Sequence, residues 1–132
     1  CAATNTRLHV VGNIGFDFKN KNLKRAGLDY WPFLDFKYFK DLDNYHRELS
    51  EKQNFHLLTT KSPFIYSQKK FSNNDYLVFG SETKGIDEKL LKNDWDRTCT
   101  IPIHNKNIRS LNLANSVSIV LFEAIRQINE NF

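Results

Sequence analysis

The stretch YLVFGSETKGIDEKLL (residues 76–91) passes from an apolar run into a turn with glycines at 80 and 85 and one carboxylate, Glu82, between them. A glycine turn that opens a helix ordinarily points to phosphate, held by backbone N–H groups and the positive end of the helix dipole. Glu82 argues against that ligand, because a carboxylate inside the turn repels phosphate. The stretch also lacks the G-x-x-x-x-G-K-[ST] and G-x-G-x-x-G spacings. A ligand that is neutral or cationic at this end, such as an adenosine bearing a sulfonium, fits better. The alternative is a tight strand-to-helix connection in which Glu82 favours the first helical turn.

The other reactive side chains are dispersed. None of His9, His46, His56 and His104 stands at ligand spacing with another, so no metal site is expected. Cys1 and Cys99 lack metal-ligand spacing as well, and they read as two buried thiols rather than a disulfide. Charge is more suggestive. Nineteen Lys and Arg against fifteen Asp and Glu leave a formal +4 and a pI near 9.1, which suits a polyanionic partner. The excess gathers in KNKNLKRAG (19–27), at Lys69 and Lys70, and in HNKNIR (104–109). Each of these reads as a loop or an element end, with solvated surface charge as the alternative reading.

These residues need elements to position them. A chain of 132 residues with 40% hydrophobic and 14% aromatic content can bury one core, so a single domain over 1–132 is expected. No apolar run approaches the roughly 18–20 residues of a membrane span, and the first residues do not form a signal peptide. The chain is therefore read as soluble and cytoplasmic. Strands are expected at RLHVVG (7–12), FHLLTT (55–60), DYLVFG (75–80) and TCTIPI (98–103). Helices are expected at DNYHRELSEKQ (43–53), IDEKLLKND (86–94) and LNLANSVSIVLFEAIRQI (111–128). The strands are apolar runs separated mostly by helices, which predicts an α/β fold: a mostly parallel sheet with helices on both faces. In such folds ligands settle beyond the carboxyl ends of the strands, so LLTTK, FGSETKG and IPIHNKNIRSLN should converge.

The last helix carries two apolar faces. Leu113, Val117, Val120, Leu121, Ala124 and Ile128 form one stripe, and Ile119 and Phe122 lie on another. A second apolar face implies a second burial partner, either within the domain or in a second copy of the chain.

LVFGSETKGI followed by IPIHNKNIRSLNLANSVSIVLFEAIRQ resembles the second and third motifs of the SPOUT RNA methyltransferases. LKRAGLDYW and LLTTK narrow the resemblance to the small tRNA 2′-O-methyltransferases that modify the wobble nucleotide of leucine tRNAs, over nearly the whole chain. The resemblance implies a C-terminal deep trefoil knot, an exception to the rule that chains do not thread. It also implies a homodimer formed through the C-terminal helix, S-adenosylmethionine as methyl donor, and tRNA as substrate. Carried over by motif, the cofactor would be lined by Leu58, Thr59 and Thr60, by Gly80 and Glu82, by Ile101 and Ile103, and by Ser110, Leu111 and Asn112. Gly80 would let the backbone approach the cofactor closely. Lys21, Lys24, Arg25, Lys106 and Arg109 would form a basic lip for RNA, with Arg109 alternatively bracing the cofactor loop.

The sequence departs from this family in two places. Members begin with a strand and an N-T-G-N-I-x-R loop whose arginine is the usual activator of the ribose hydroxyl, and CAATNTRLHVVG aligns just after it. The catalytic arginine therefore has no number here. Arg7 matches a different position, and the chain is read as an N-terminally truncated piece of a longer protein. The HNKNIRS loop is one residue longer than in close relatives, which leaves His104 to Asn107 unassigned. Two other classes of function stay open: an inactive knotted RNA-binding module, and an α/β domain for another adenosine-type ligand.

Overall fold

The computed structural model describes residues 1–14, 30–52 and 54–129. Its contacts divide into two compact units, Cys1–Glu51 and Lys52–Phe132.

In the first unit, β1 (Leu8–Val11) pairs in parallel with β2 (Phe36–Phe39), in a register from Leu8 beside Phe36 to Val11 beside Phe39. The expected first strand is confirmed, whereas β2 had no counterpart in the sequence reading. Its FKYF alternates poorly: Phe36 and Phe39 are half-buried while Lys37 and Tyr38 are exposed, so neither strand pattern is clean. Helix α1 (Leu42–Ser50) starts one residue before the expected helix because Asp41 caps it, accepting from the Asn44 N–H at 2.9 Å. Phe39 and Tyr45 join strand to helix, their ring centroids 4.8 Å apart, and the Tyr45 hydroxyl lies 2.7 Å from His9 Nδ1. Burial, followed by the nearby Lys37 and Arg7 charges, pushes the His9 imidazole below its ordinary pKa.

In the second unit the strands run parallel in the order β4–β3–β5, with β3 at Phe55–Leu58, β4 at Tyr76–Phe79 and β5 at Thr98–Cys99. The α/β class with parallel pairing is as the sequence predicted. The expected fourth strand, 98–103, is cut short at Cys99, which pairs with the last residue of β3, Leu58; further on, Pro102 has no N–H to extend a ladder. Thr100 instead bonds through its N–H to the Phe64 carbonyl (2.8 Å) and through its carbonyl to the Tyr66 N–H (2.9 Å). Helices α2 (Glu88–Asn93) and α3 (Leu113–Ile128) follow β4 and the post-β5 segment. Asp87 caps α2 and Asn112 caps α3, and each cap shifts the helix start about two residues beyond the sequence expectation.

Phe55, Leu57 and Val120 are fully buried, each contributing roughly 1.5–3 kcal/mol by removal from water. Val120, Ala124 and Phe71 form a cluster against which Leu58, Leu77, Phe79 and Ile101 pack. The predicted stripe of α3 thus faces the sheet. Ile119 and Phe122 remain 37% and 47% exposed, as the two-face reading requires. Both cysteines are free. Cys99 is fully buried and its thiol is pushed up to about 11 by burial, whereas Cys1 is only half-buried, contrary to the expectation of two buried thiols.

Candidate functional site

The carboxyl ends of β3, β4 and β5 lead into residues 59–61, 80–86 and 100–112. Hydrogen bonds and an ion pair draw these segments together. At the exit of β3, the Thr59 N–H donates to the Cys99 carbonyl at 2.9 Å, which ties this loop to the end of β5. Lys61 pairs with Glu88 in the first turn of α2, and the ammonium holds that carboxyl below the usual carboxylate range. Asn112 Nδ2 donates to Glu82 Oε1 at 3.3 Å, which ties the glycine turn to the start of α3.

The glycine turn is a closed hairpin. Ser81 and Gly85 exchange both backbone hydrogen bonds, N–H to carbonyl at 3.2 and 2.9 Å, and the Ser81 hydroxyl accepts from the Lys84 N–H at 3.1 Å. Gly85 has φ +73°, in the left-handed region where a side chain is strained. Gly80 is glycine for a different reason. A Cβ there would lie 1.9 Å from Gly85 C and 2.1 Å from Ile86 N. The chain's own returning backbone makes a close approach at Gly80, so the glycine is required by the turn before any ligand is considered. Glu82 is left exposed at the tip.

Leu58 and Ile101 are half-buried, packed against the core cluster. Thr60, Ile103, Ser110 and Leu111 lie on the same converging segments; Thr60, Ser110 and Leu111 are exposed and Ile103 is half-buried. Residues 101–103 have no ladder partner among the described residues; the Ile101 carbonyl accepts from the Thr100 hydroxyl at 3.3 Å and Pro102 has no N–H, which leaves the Ile101 N–H and the Ile103 backbone for the edge of an adenine. Lys106 and Arg109 are exposed on the 104–112 loop, where the Asn105 side chain accepts from the Asn107 N–H at 3.0 Å. His104 is exposed on this loop. Lys21, Lys24 and Arg25 lie outside the described residues.

Sequence reasoning placed the three loops but missed the links between them. Asn112 was read as a cofactor contact; its side chain also caps α3, with Oδ1 accepting from the Asn115 N–H at 3.2 Å, and holds Glu82. An asparagine just before a helical stripe is a readable cap; its second bond spans thirty positions and has no local signature.

The SpoU rRNA Methylase family matches residues 1–122. This chain belongs to that family. A tRNA (cytidine(34)-2′-O)-methyltransferase of Yersinia pestis is 38% identical over 133 residues, spanning 97% of this chain and 82% of the relative. A solved structure described as "Structural insights into the 2-OH methylation of C/U34 on tRNA" superposes with TM-score 0.84 at 33% identity, covering 96% of this chain and 81% of that one. The AdoMet-bound rRNA methyltransferase of Sinorhizobium meliloti shares the fold, with TM-score 0.74 at 20% identity over 93% of this chain and 46% of its own. The resemblance that the motifs carried is thereby borne out, and the chain is a methyltransferase of the SPOUT type.

Proposed function

We propose that this protein transfers a methyl group from S-adenosylmethionine to the ribose 2′-hydroxyl of the wobble nucleotide, position 34, of a tRNA, with leucine tRNAs as the favoured substrates. Relatives that carry this activity in their names match nearly the entire chain. The observation that carries the reading is the convergence of three strand exits on a turn whose tip is a carboxylate held by Asn112. That donor set fits an adenosine with a sulfonium. It offers the Ile101 N–H and the Ile103 backbone for the base and Glu82 for a hydroxyl or a positive centre, and its carboxylate disfavours phosphate.

The methyl donor, when bound, supplies an electrophilic methyl on a positively charged sulfur. Leu58, Thr59, Thr60, Gly80, Ile101, Ile103, Ser110 and Leu111 would surround it largely through backbone, and Asn112 would fix the rotamer of Glu82. Lys106 and Arg109, together with Lys21, Lys24 and Arg25, would hold RNA phosphates so that the 2′-hydroxyl lies in line with the methyl. The arginine that activates this hydroxyl in the family matches no position here, and none of the described residues is assigned that role.

Both compact units would form one methyltransferase domain, since the family match runs through both. The 100–112 segment and α3 would make the knot, and the Ile119 and Phe122 face of α3 would meet a second copy in a homodimer. Among the described residues no helix is long and apolar enough to cross a membrane, and no His, Cys, Asp and Glu group could hold a metal. A cytoplasmic location follows from the tRNA substrate.

Calorimetry with S-adenosylhomocysteine and with ATP tests the site. S-adenosylhomocysteine should bind one per chain, and ATP should not, because its phosphates meet Glu82. ATP binding at comparable affinity, or no binding of S-adenosylhomocysteine, overturns the reading.

A further inference from the structure

At the amino ends of β3, β4 and β5, the pole opposite the glycine turn, the second unit holds a cleft of about 180 Å³. Lys69, Lys70, Asp96 and Arg97 stand on its walls. Lys69 extends the cleft into a strip, because its Nζ donates to the Asp96 carbonyl at 2.8 Å and lies 4.6 Å from the Phe64 ring centroid. Phe64 is 42% exposed and Trp95, beside Asp96, is 40% exposed.

We propose that this strip binds single-stranded RNA, with bases stacked on Trp95 and Phe64 and backbone phosphates on Lys70 and Lys69. The inference rests on the RNA reading above and extends it to a surface remote from the methyl-transfer loops. Asp75 lies inside the cleft with its side chain 6% exposed: Oδ2 takes His56 Nε2 at 3.0 Å and the Ser72 N–H at 2.8 Å, while Oδ1 is buried without a hydrogen-bond partner among the described residues. Asp94 faces Arg97 at 3.5 Å, which leaves Lys69 and Lys70 against the exposed carboxylate of Asp96. Lys70 makes no ion pair among the described residues.

The kind of apolar surface separates RNA from a protein partner. On this strip the exposed apolar groups are two aromatic rings interleaved with cations, a pattern that suits base stacking and phosphate contact. The exposed aliphatic side chains of the second unit, Ile108, Leu111 and Ile119, lie elsewhere, on the post-β5 loop and α3. Stacking is indifferent to base identity, so the strip would hold a strand without selecting its sequence.

Trp31→Phe leaves Trp95 as the sole tryptophan of these 132 residues, and titration of this variant with dodecauridine reads the contact directly. Quenching of Trp95 fluorescence is expected. Trp95→Ala should weaken dodecauridine and unmodified tRNA binding about tenfold, the loss of one stacked base. Lys70→Ala, a change at an exposed side chain that does not threaten folding, should flatten the log–log salt dependence by roughly 0.7, one phosphate contact. S-adenosylhomocysteine binding should be unchanged in both. If tRNA binds while Trp95 stays unquenched and the Lys70→Ala salt slope is that of the parent, the strip is not an RNA surface. If Trp95→Ala instead changes the sedimentation coefficient, the strip covers a second copy and the proposal falls. If no RNA binds even the unmodified protein, the RNA reading of the methyl-transfer site has failed first.

Discussion

Gly80 and Gly85 are five residues apart and are glycine for different physical reasons, so they should respond differently to substitution. At Gly85 there is open space around a Cβ but φ is +73°, and Gly85→Ala should cost about 1–2 kcal/mol, the left-handed backbone penalty. At Gly80 a methyl would meet backbone at 1.9 Å, which a rotamer change cannot relieve. Gly80→Ala should therefore cost at least the roughly 1–3 kcal/mol of an overpacked site, and the lost cofactor affinity should follow from an opened turn. Urea denaturation of both variants checks the order; a Gly80→Ala protein as stable as Gly85→Ala would mean that the turn is looser than its geometry. The carboxylate of Glu82 was legible as a warning against phosphate. The steric reason for Gly80 was not, because nothing local says that residue 85 will fold back onto residue 80.

At the scale of elements, the start of α3 does two jobs through one side chain. Asn112→Ala removes both the cap and the Glu82 contact and should lower stability by about 1 kcal/mol. Asn112→Asp keeps a capping carboxylate but sets it against Glu82, so stability should hold better while S-adenosylhomocysteine binding weakens. Thermal melts and calorimetry on the two variants separate the roles; equal binding by Asn112→Asp and the parent would remove Asn112 from the site. The helices and three of the strands were legible because their periods and caps are local. Strand β2 escaped because Lys37 and Tyr38 sit exposed between two half-buried phenylalanines, and the last strand was overextended because its IPI run is apolar yet unpaired. The apolar stripe of α3 was read residue by residue, since 3.6-residue periodicity survives whatever the helix packs against.

At the scale of the molecule, α3 carries two apolar faces. The inner one is covered by the sheet, and the outer one carries Ile119 and Phe122 at 37% and 47% exposure. If a second copy covers the outer face, Phe122→Asp places a charge in that interface and should convert a dimer into monomers in multi-angle light scattering. A parent chain that is monomeric at micromolar concentration would leave the face for another partner. The family motifs made the methyltransferase reading possible from sequence, since they carry information that composition and periodicity do not.

The proposed methyl acceptor is a ribose hydroxyl of tRNA. Nucleoside analysis of tRNA after incubation with the full-length enzyme and methyl-labelled S-adenosylmethionine tests it most directly. Label is expected in 2′-O-methylcytidine or 2′-O-methyluridine from position 34. Label on a base, or at another position of the tRNA, would contradict it.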